Sequence, residues 1–324
     1  MQIITASQVH QHLAFPTVLN KLAQGFAAPA TMPQRQIFEL DSNPHNHDAF
    51  AVLPAWNDEV IGVKSFTYFP DNEASGYASL YSKIMLFSRA HGEPLALVDG
   101  TSVTLWRTAA VSALAASLLA KPNAKHLVLF GSGKLAPFLI RAHLAVRQYT
   151  QVTLVARNHA KAAAVITILA NEFSGVEFAY VDQADEALIS SADVICCATG
   201  ARSPLFNGAW LTPGCHVDLL GNHHKESREC DTTTIIRASV YVDSRTNVLN
   251  EAGELLIPIK EGVFSAAQVK AELADMCRQA PNRSADEITV FKSVGTALAD
   301  LLTAHLVLTL CQQQDKAEAA ACLA

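Results

Sequence analysis

The stretch His126-Leu-Val-Leu-Phe130, continued by Gly131-Ser132-Gly133-Lys-Leu-Ala136 and a helical pattern to Val146, decides the fold of this chain. The apolar run predicts a buried strand, and G-x-G-x-x-A between a strand and a helix is typical of a dinucleotide-binding turn. Gly131 would make the tight turn, Gly133 would let the backbone approach a pyrophosphate, and Ala136 would permit close packing of helix on sheet. The phosphates would lie at the positive end of the helix dipole.

Outward from this turn, short runs rich in apolar and β-branched residues alternate with helical stretches. This alternation predicts βαβ units and a parallel sheet, which supports a dinucleotide site more strongly than the glycine pattern alone. The predicted strands lie at 126–130, 152–156, 177–181, 193–198, 216–220 and 239–243. The sequence therefore predicts a Rossmann-type dinucleotide-binding domain over residues 109–293.

The end of the second predicted strand, Val155-Ala156-Arg157-Asn158, bears on the choice of nucleotide. An NAD-specific site usually places Asp or Glu there to accept hydrogen bonds from the ribose 2′-hydroxyl. This segment has no acid, and Arg157 could pair with a 2′-phosphate while Asn158 adds a hydrogen bond; a solvated surface arginine is the other interpretation. We therefore predict NADPH as the cofactor, with NADH as the alternative. The small-residue turn Ala198-Thr199-Gly200 could lie against it without steric conflict.

The pattern of apolar residues over 1–108 predicts an α+β domain with an antiparallel sheet. We expect a helical stretch at 7–23 with a kink or break at Pro16, half-buried strands at 36–40 and 61–69, and a hairpin over 83–98. An alanine-rich helix is expected at 108–119 and a last helix at about 294–311, with a fraying tail at 312–324. The C-terminal segment, about 294–324, is predicted to join the first domain.

The composition excludes several classes of protein. A chain of 324 residues, 50% hydrophobic and 17% charged, is typical of a globular protein with about two domains. A net charge of −6 without a Lys/Arg cluster argues against a nucleic-acid partner. The chain shows neither a secretory signal pattern nor an apolar stretch of the roughly 20 residues that a bilayer span needs, so we predict a cytoplasmic protein without a membrane partner. The seven cysteines, without a CxxC pair, are expected to be reduced thiols.

Several separated motifs follow one another along the chain. They are Gly62-Val-Lys64, Asp99-Gly100 with Thr104-Leu-Trp-Arg107, Gly131-Ser-Gly133, Glu229 with Asp231, and 286–295. From about Arg35 to Leu310 the chain resembles the ornithine cyclodeaminase/mu-crystallin family. The resemblance implies a Rossmann domain that binds NAD(P) and an amino-terminal domain that binds substrate and forms a homodimer. Family activities include cyclodeamination of ornithine or lysine, alanine dehydrogenation, and reduction of cyclic ketimines such as Δ1-pyrroline-2-carboxylate.

The same resemblance implies the residues of the site. Arg35, Lys64 and Arg107 stand where the family binds the substrate carboxylate. Arginine can bind a carboxylate through two parallel hydrogen bonds, whereas Lys64 offers a point charge or a proton donor. The segment Ser293-Val294-Gly295 would lie by the nicotinamide, with Gly295 permitting close backbone approach.

The chain departs from the cyclodeaminase pattern after Gly221. Cyclodeaminases of the family carry an aspartate two residues later, where an acid/base handles the amine, and this chain has His223 there. The resemblance is therefore strongest to the ketimine reductases, which also lack that aspartate. Imine reduction does not need the missing aspartate, because His223 or Lys64 could protonate the imine nitrogen. His223 and His224 could also be loop histidines without chemistry, and no metal is predicted because no carboxylate or cysteine stands at ligand spacing.

We therefore predict NAD(P)H-dependent reduction of a small cyclic imino acid, Δ1-pyrroline-2-carboxylate or Δ1-piperideine-2-carboxylate, to proline or pipecolate. One alternative is an ornithine-type cyclodeaminase or amino-acid dehydrogenase, in which His223 or Asp218 replaces the missing base. A second alternative is a non-catalytic dinucleotide-binding protein of the crystallin type.

Overall fold

The protein, described here by a computed structural model over residues 1–41 and 48–322, divides into two compact units. The first unit comprises Met1–Thr108 with Thr296–Ala324, and the second comprises Ala109–Gly295. Leu323 and Ala324, the end of the tail predicted to fray, lie outside the described residues.

A six-stranded sheet forms the centre of the first unit within the described residues. Its strands are β1 (Gln2–Ile4), β2 (Gln36–Glu39), β3 (Ala49–Trp56), β4 (Val60–Tyr68), β5 (Leu80–Ser88) and β6 (Pro94–Asp99). The strand order is β1-β6-β5-β4-β3-β2, with β1 parallel to β6 and the other neighbours antiparallel. β5 and β6 form the predicted hairpin.

Three helices belong wholly to this unit in the part that the structure describes. They are α1 (Ala6–His12), α2 (Phe15–Ala27) and α11 (Ala297–Cys322). The predicted break falls at Leu13–Ala14, and Pro16 lies in the first turn of α2, where proline's missing N–H costs no helical hydrogen bond. α11 packs against α1, α2 and strands β3 to β5, so the unit's core lies between the helices and one face of the sheet.

Two expectations for this unit were wrong. β2 is exposed at every position instead of half-buried, because it is an edge strand that the helices do not cover. The C-terminal segment continues as helix to Cys322 instead of fraying from Gln312, since its alanine-rich composition favours helix even where the side chains are exposed.

The second unit is built on an eight-stranded, fully parallel sheet in the described part of the chain, which confirms the predicted fold class. Its strands are β7 (His126–Phe130), β8 (Gln151–Val155), β9 (Glu177–Val181), β10 (Val194–Cys197), β11 (His216–Leu219), β12 (Ser239–Val242), β13 (Val269–Glu272) and β14 (Thr289–Lys292). The order is β13-β12-β14-β11-β10-β7-β8-β9. Strands β7, β10, β11 and β14 are buried at every position, as expected for a sheet covered on both faces.

The strand order reverses between β7 and β10. From β7 the chain proceeds outward to β8 and β9, then returns to the other side of β7. Such a switch point opens a crevice at the carboxyl ends of the strands, where doubly wound proteins bind ligands. Sequence reasoning found six of the eight strands and missed β13 and β14.

Seven helices belong wholly to the second unit among the residues described. They are α4 (Ala136–Val146), α5 (His159–Glu172), α6 (Glu186–Ser191), α7 (Thr232–Arg237), α8 (Arg245–Glu251), α9 (Gly253–Lys260) and α10 (Leu273–Arg278). Short 3-10 segments occur at Pro70–Ser75, Gly208–Trp210 and Ala266–Gln268.

Helix α3 (Gly100–Leu119) contains the boundary between the units and begins eight residues earlier than predicted. The Asp99 carboxylate accepts the Ser102 N–H at 2.9 Å at its start, a cap that the alanine pattern did not reveal. At 20 residues, α3 is the one described helix that is long and apolar enough to cross a membrane. Because 61% of this stretch is buried inside the protein, core packing accounts for its composition.

Candidate active site

Lys64 lies on β4 and is buried although it is charged. Its neighbours across the sheet are Leu53 on β3 and Ile84 on β5, and only 4% of Lys64 is exposed. The ammonium Nζ donates to Thr104 Oγ1 at 2.7 Å and to Asp300 Oδ1 at 3.0 Å. A buried ammonium is tolerated only with such partners, so these contacts hold Lys64 in one place.

The sequence around Lys64 explains how Asp300 reaches it. Gly62 stands two positions before Lys64 and therefore shares its face of the strand. A Cβ added at Gly62 would lie 2.5 Å from Leu301 Cδ1, so the Leu301 side chain of α11 packs directly on the strand at this position. Asp300, the neighbour of Leu301, is thereby placed on the part of α11 that packs against β4, where it meets Lys64.

Arg107 and Arg35 complete the cation cluster of the first unit. Arg107 Nε donates to the same Asp300 Oδ1 at 3.0 Å, and its side chain is 12% exposed. Arg35 lies close enough for its charge to lower the pKa of Lys64. The three predicted cations are thus near one another, around a carboxylate that the sequence analysis missed.

The protonation of Lys64 is finely balanced. Burial lowers its pKa to about 8, the positive charges of Arg107 and Arg35 act in the same direction, and Asp300 opposes them. Desolvation penalises the charged form, while a carboxylate at hydrogen-bond distance favours it. Lys64 is therefore mainly an ammonium at neutral pH and loses its proton under mildly alkaline conditions.

The glycine turn of the second unit has the shape expected of a nucleotide site. Gly131 has φ +113°, and a Cβ there would lie 2.6 Å from the carbonyl oxygen of Ala198, so both the conformation and the space require glycine. A Cβ at Gly133 would meet no atom within 4 Å, which leaves open space beside the backbone. Ala136 is buried at the start of α4. These features fit a dinucleotide pyrophosphate approaching the turn.

The residues predicted to contact the 2′ position lie just after β8. The Gly131 N–H donates to the Val155 carbonyl at 3.0 Å, which ties the glycine turn to the end of this strand. Arg157 is exposed two residues later. The Asn158 side-chain oxygen accepts the Lys161 N–H at 3.0 Å and caps α5, leaving its amide NH2 as the group that could donate to a phosphate.

Glu229 fixes the loops that follow β10 and β11. Its Oε1 accepts the Thr199 N–H at 2.7 Å and the Thr199 hydroxyl at 2.8 Å, and its Oε2 accepts the Gly221 N–H at 2.7 Å. A Cβ at Gly221 would lie 2.1 Å from the Thr199 carbonyl oxygen, so the two loops touch. Gly200, next to Thr199, has open space where a Cβ would be. One buried carboxylate therefore shapes this edge of the crevice.

A buried ion pair lies behind this edge. Lys292 Nζ is 3.2 Å from Glu254 Oε2, and both side chains are fully buried. Lys292 also donates to the Asn222 carbonyl at 2.8 Å, and Glu254 Oε1 accepts the Glu229 N–H at 3.1 Å. The pair thus supports the loop that carries His223, whose side chain is exposed.

Asp243 fixes the segment Ser293-Val294-Gly295. Its Oδ2 accepts the Val294 N–H at 3.0 Å and the Gly295 N–H at 2.7 Å. Gly295 has φ +84°, a conformation that favours glycine, and its carbonyl accepts a hydrogen bond from Asn247 at 3.2 Å. The segment predicted to lie by the nicotinamide is therefore held rigidly by its own unit.

A buried polar cluster in the second unit was missed by sequence reasoning. The Ser112 hydroxyl lies 2.9 Å from His143 Nε2 and hydrogen-bonds to Asp218 Oδ2, and Cys196 Sγ is 3.9 Å from the same oxygen. His143, Cys196 and Asp218 could each offer a metal-ligand atom within 4.8 Å of the others, but the Ser112 hydroxyl joins them by hydrogen bonds. The four residues lie on four different elements, α3, α4, β10 and β11, so no spacing could reveal the cluster.

Asp218→Asn is expected to raise the melting temperature at pH 8 by several degrees more than at pH 5. Burial raises the pKa of Asp218 to about 7, so the folded chain keeps a proton that the unfolded chain releases near pH 4. Stability is therefore lost as pH rises from about 4 to 7, and the loss is complete above 7. Asparagine cannot ionise and escapes this loss. Scanning calorimetry at both pH values is the measurement.

The control for this prediction is Asp286→Asn, at an exposed carboxylate of the same unit. It is expected to change the melting temperature equally at pH 5 and pH 8. An equal change for Asp218→Asn would contradict the proposed burial of a proton at that position.

Comparison with known proteins places these features in a family. The model of the ornithine cyclodeaminase/mu-crystallin family matches residues 1–315. The chain belongs to this family. A Δ1-pyrroline-2-carboxylate reductase of Colwellia psychrerythraea is 56% identical over 95% of this chain and 98% of the relative. The reductase of the same name from Paracoccus denitrificans is 36% identical over 94% of this chain and 96% of that protein.

A solved member of the family shows the same fold. The Thermococcus litoralis Δ1-pyrroline-2-carboxylate reductase, in complex with NADH and L-proline, superposes with a TM-score of 0.90 at 29% identity. The alignment covers 97% of this chain and 98% of the other. The resemblance inferred from the sequence motifs is thereby confirmed.

The main residue that sequence reasoning missed is Asp300. It is the one charged residue in the apolar run from Ala297 to Ala304 of α11, and it is 1% exposed. Buried acids are almost always paired. A single charge in a helix of this composition was therefore the signal that could have predicted a partner among the cations.

Proposed function

We propose that this protein is an NAD(P)H-dependent reductase of cyclic imino acids that reduces Δ1-pyrroline-2-carboxylate, or its six-membered homologue, to proline or pipecolate. The observation that carries the proposal is the cluster of Arg35, Lys64 and Arg107, with the buried Lys64 close to its titration point. The relative of this activity that is 56% identical supports the same reaction.

The first unit supplies the groups that this substrate requires. The carboxylate of an imino acid needs a fixed cation, and the terminal nitrogens of Arg107 can form two parallel hydrogen bonds to it. The imine nitrogen must gain one proton during reduction, and the Lys64 ammonium can donate it. His223 is the alternative donor, since an imidazole can hold a proton at neutral pH.

The second unit holds the dinucleotide. Gly131, Ser132, Gly133 and Ala136 form the turn for the pyrophosphate, while Ala198, Thr199, Gly200 and the segment 293–295 border the remaining crevice. When bound, the reduced nicotinamide supplies the hydride that adds to the imine carbon. The chain's own residues position the turn and shape the edge of the crevice through Glu229 and Asp243.

The test is to follow NADPH absorbance with Δ1-pyrroline-2-carboxylate and to measure ammonia release from ornithine separately. We expect imine-dependent NADPH oxidation without ammonia release. Ammonia release without imine reduction would overturn the proposal in favour of a cyclodeaminase. The absence of both NADPH oxidation and ammonia release would favour a non-catalytic binding protein.

Arg157→Ala is expected to weaken NADPH binding about 10- to 100-fold and NADH binding less than about threefold, because charge-assisted hydrogen bonds contribute about 1.5–3 kcal/mol. The physical reason is that only NADPH carries the 2′-phosphate that Arg157 would contact. Dissociation constants from nucleotide fluorescence measure the effect. Lys161→Ala, on the following helix, is the control, and equal losses for the two nucleotides in Arg157→Ala would reject the contact.

We also propose that the protein is a homodimer in the cytoplasm. The edge strand β2 and the residue after it expose Ile37, Phe38 and Leu40 to 53%, 47% and 53%, and a second copy would cover this apolar edge. Sedimentation velocity of the purified chain tests the dimer. Six cysteines, at positions 196, 197, 215, 230, 277 and 311, are free thiols, which agrees with a reducing compartment.

A further inference from the structure

We propose that Asp300 is a positioning residue for the proposed imine reduction: it keeps Lys64 an ammonium and turns Arg107 so that its terminal nitrogens face the substrate carboxylate. This inference rests on the proposed function. It concerns a residue that touches both cations and that neither the motifs nor the relatives' names point to.

The Lys64 ammonium has three N–H bonds. One points to Thr104 Oγ1 at 2.7 Å and another to Asp300 Oδ1 at 3.0 Å. The Thr104 hydroxyl donates in turn to the Gly100 carbonyl at 2.7 Å, so it accepts from Lys64 and cannot donate to it. Two of the three N–H bonds are thereby fixed, and the described residues offer no hydrogen-bond acceptor for the third, which is therefore the one that could bind a substrate atom.

Asp300 also selects the edge of the Arg107 guanidinium that is presented. Arg107 uses its Nε to bind Asp300 Oδ1 at 3.0 Å. A guanidinium is planar and rigid, so fixing Nε also fixes the direction of the two terminal nitrogens. Those two nitrogens form the fork that matches a carboxylate. One oxygen of Asp300 therefore orients both cations.

The charge of Asp300 also affects the protonation of Lys64. The charged groups that act on Lys64 are Asp300, Arg107 and Arg35, and Asp300 is the one among them that favours the ammonium. Burial and both arginines lower the pKa of Lys64. Without Asp300, Lys64 would lose its proton at a lower pH and could no longer donate one under neutral conditions.

The burial of Asp300 is only partly compensated by hydrogen bonds. Asp300 is 1% exposed, and its Oδ2 has no hydrogen-bond partner in the described part of the chain. A half-satisfied buried carboxylate is costly for the fold, and such groups concentrate at functional sites. The side-chain contacts that Asp300 does make are those to the two cations.

The experiment compares the pH profile of kcat/KM for Δ1-pyrroline-2-carboxylate between pH 5.5 and 9.5 in the parent, Asp300→Asn and Asp300→Glu. We expect the alkaline limb of Asp300→Asn to move down by at least one pH unit, and that of Asp300→Glu, which keeps the charge, to stay near the parent's. Binding of L-proline by calorimetry is expected to weaken at least tenfold in Asp300→Asn. Asp315→Asn, at an exposed position on the same helix, is the control and should change neither.

A second readout does not depend on activity. Reductive methylation of Lys64, followed by mass spectrometry across pH, should begin at lower pH in Asp300→Asn because the neutral amine is the reactive form. If the parent shows no imine reduction but this shift is found, the proposed function fails and the action of Asp300 on Lys64 stands. If the parent is active and a folded Asp300→Asn keeps both the alkaline limb and the methylation profile, the inference is overturned while the function stands. Should Asp300→Asn fail to fold, a shifted alkaline limb in Asp300→Glu would also count against the inference.

Discussion

Lys64→Ala is expected to lower kcat/KM for Δ1-pyrroline-2-carboxylate at pH 7.5 by about 10²- to 10⁴-fold, the range typical of a lost general acid. The variant removes the ammonium that we assign as proton donor and leaves Asp300 bound to Arg107 alone. NADPH should still bind, because the residues that we propose for the nucleotide lie in the second unit. Steady-state kinetics with separate nucleotide titrations measure both effects.

Lys83→Ala is the matched control. Lys83 lies on β5, next to the strand that carries Lys64, but its side chain is 56% exposed and paired with Asp99 at 2.8 Å. Its removal is expected to change kcat/KM less than about twofold, as for surface charges whose interactions are worth little. If Lys64→Ala kept activity within tenfold of the parent, His223 would become the proton donor and its own variant the next to test.

The second large effect concerns stability. Lys292→Met is expected to lower the free energy of unfolding by about 3–5 kcal/mol, because removing one partner of a buried ion pair leaves the other charge buried and unpaired. Lys292 and Glu254 are both fully buried, and the lysine also holds the Asn222 carbonyl. Urea denaturation followed by circular dichroism is the measurement.

The contrast is the exposed pair of Arg278 and Asp275, whose side chains are 51% and 54% exposed at a separation of 3.1 Å. Arg278→Met is expected to cost about 0–1 kcal/mol, since water screens the charges and solvates the one that remains. A loss below 1 kcal/mol in Lys292→Met would mean that Glu254 does not need Lys292 as its partner, and the buried pair would not support the His223 loop.

The parallel sheet could be predicted because its signal is local. Strands that are buried on both faces, such as β7, are continuous apolar runs, and helices between them have their own periodicity. The glycine turn could also be predicted, since the positive φ that favours glycine at position 131 is a property of its own backbone.

Features that depend on contacts between segments far apart in the chain could not be predicted from the sequence. The exposure of β2 follows from its place at the sheet edge, which the alternation of its own residues does not reveal. The pairing of Lys292 with Glu254 joins residues 38 positions apart, and the Ser112–Asp218 contact joins residues 106 apart. Sequence patterns report which residues could be buried, but not which charge each one meets.

The sequence by itself determined that a glycine turn follows the first strand of a parallel sheet, and that Lys64 and Arg107 stand in motifs of a reductase-containing family. Only the tertiary structure decided that Asp300, from the far end of the chain, joins these two cations. The reason is that a turn is set by backbone sterics over a few residues, whereas an ion cluster forms where separate elements pack. Here the contact forms because α11 packs on β4, the strand that carries Lys64.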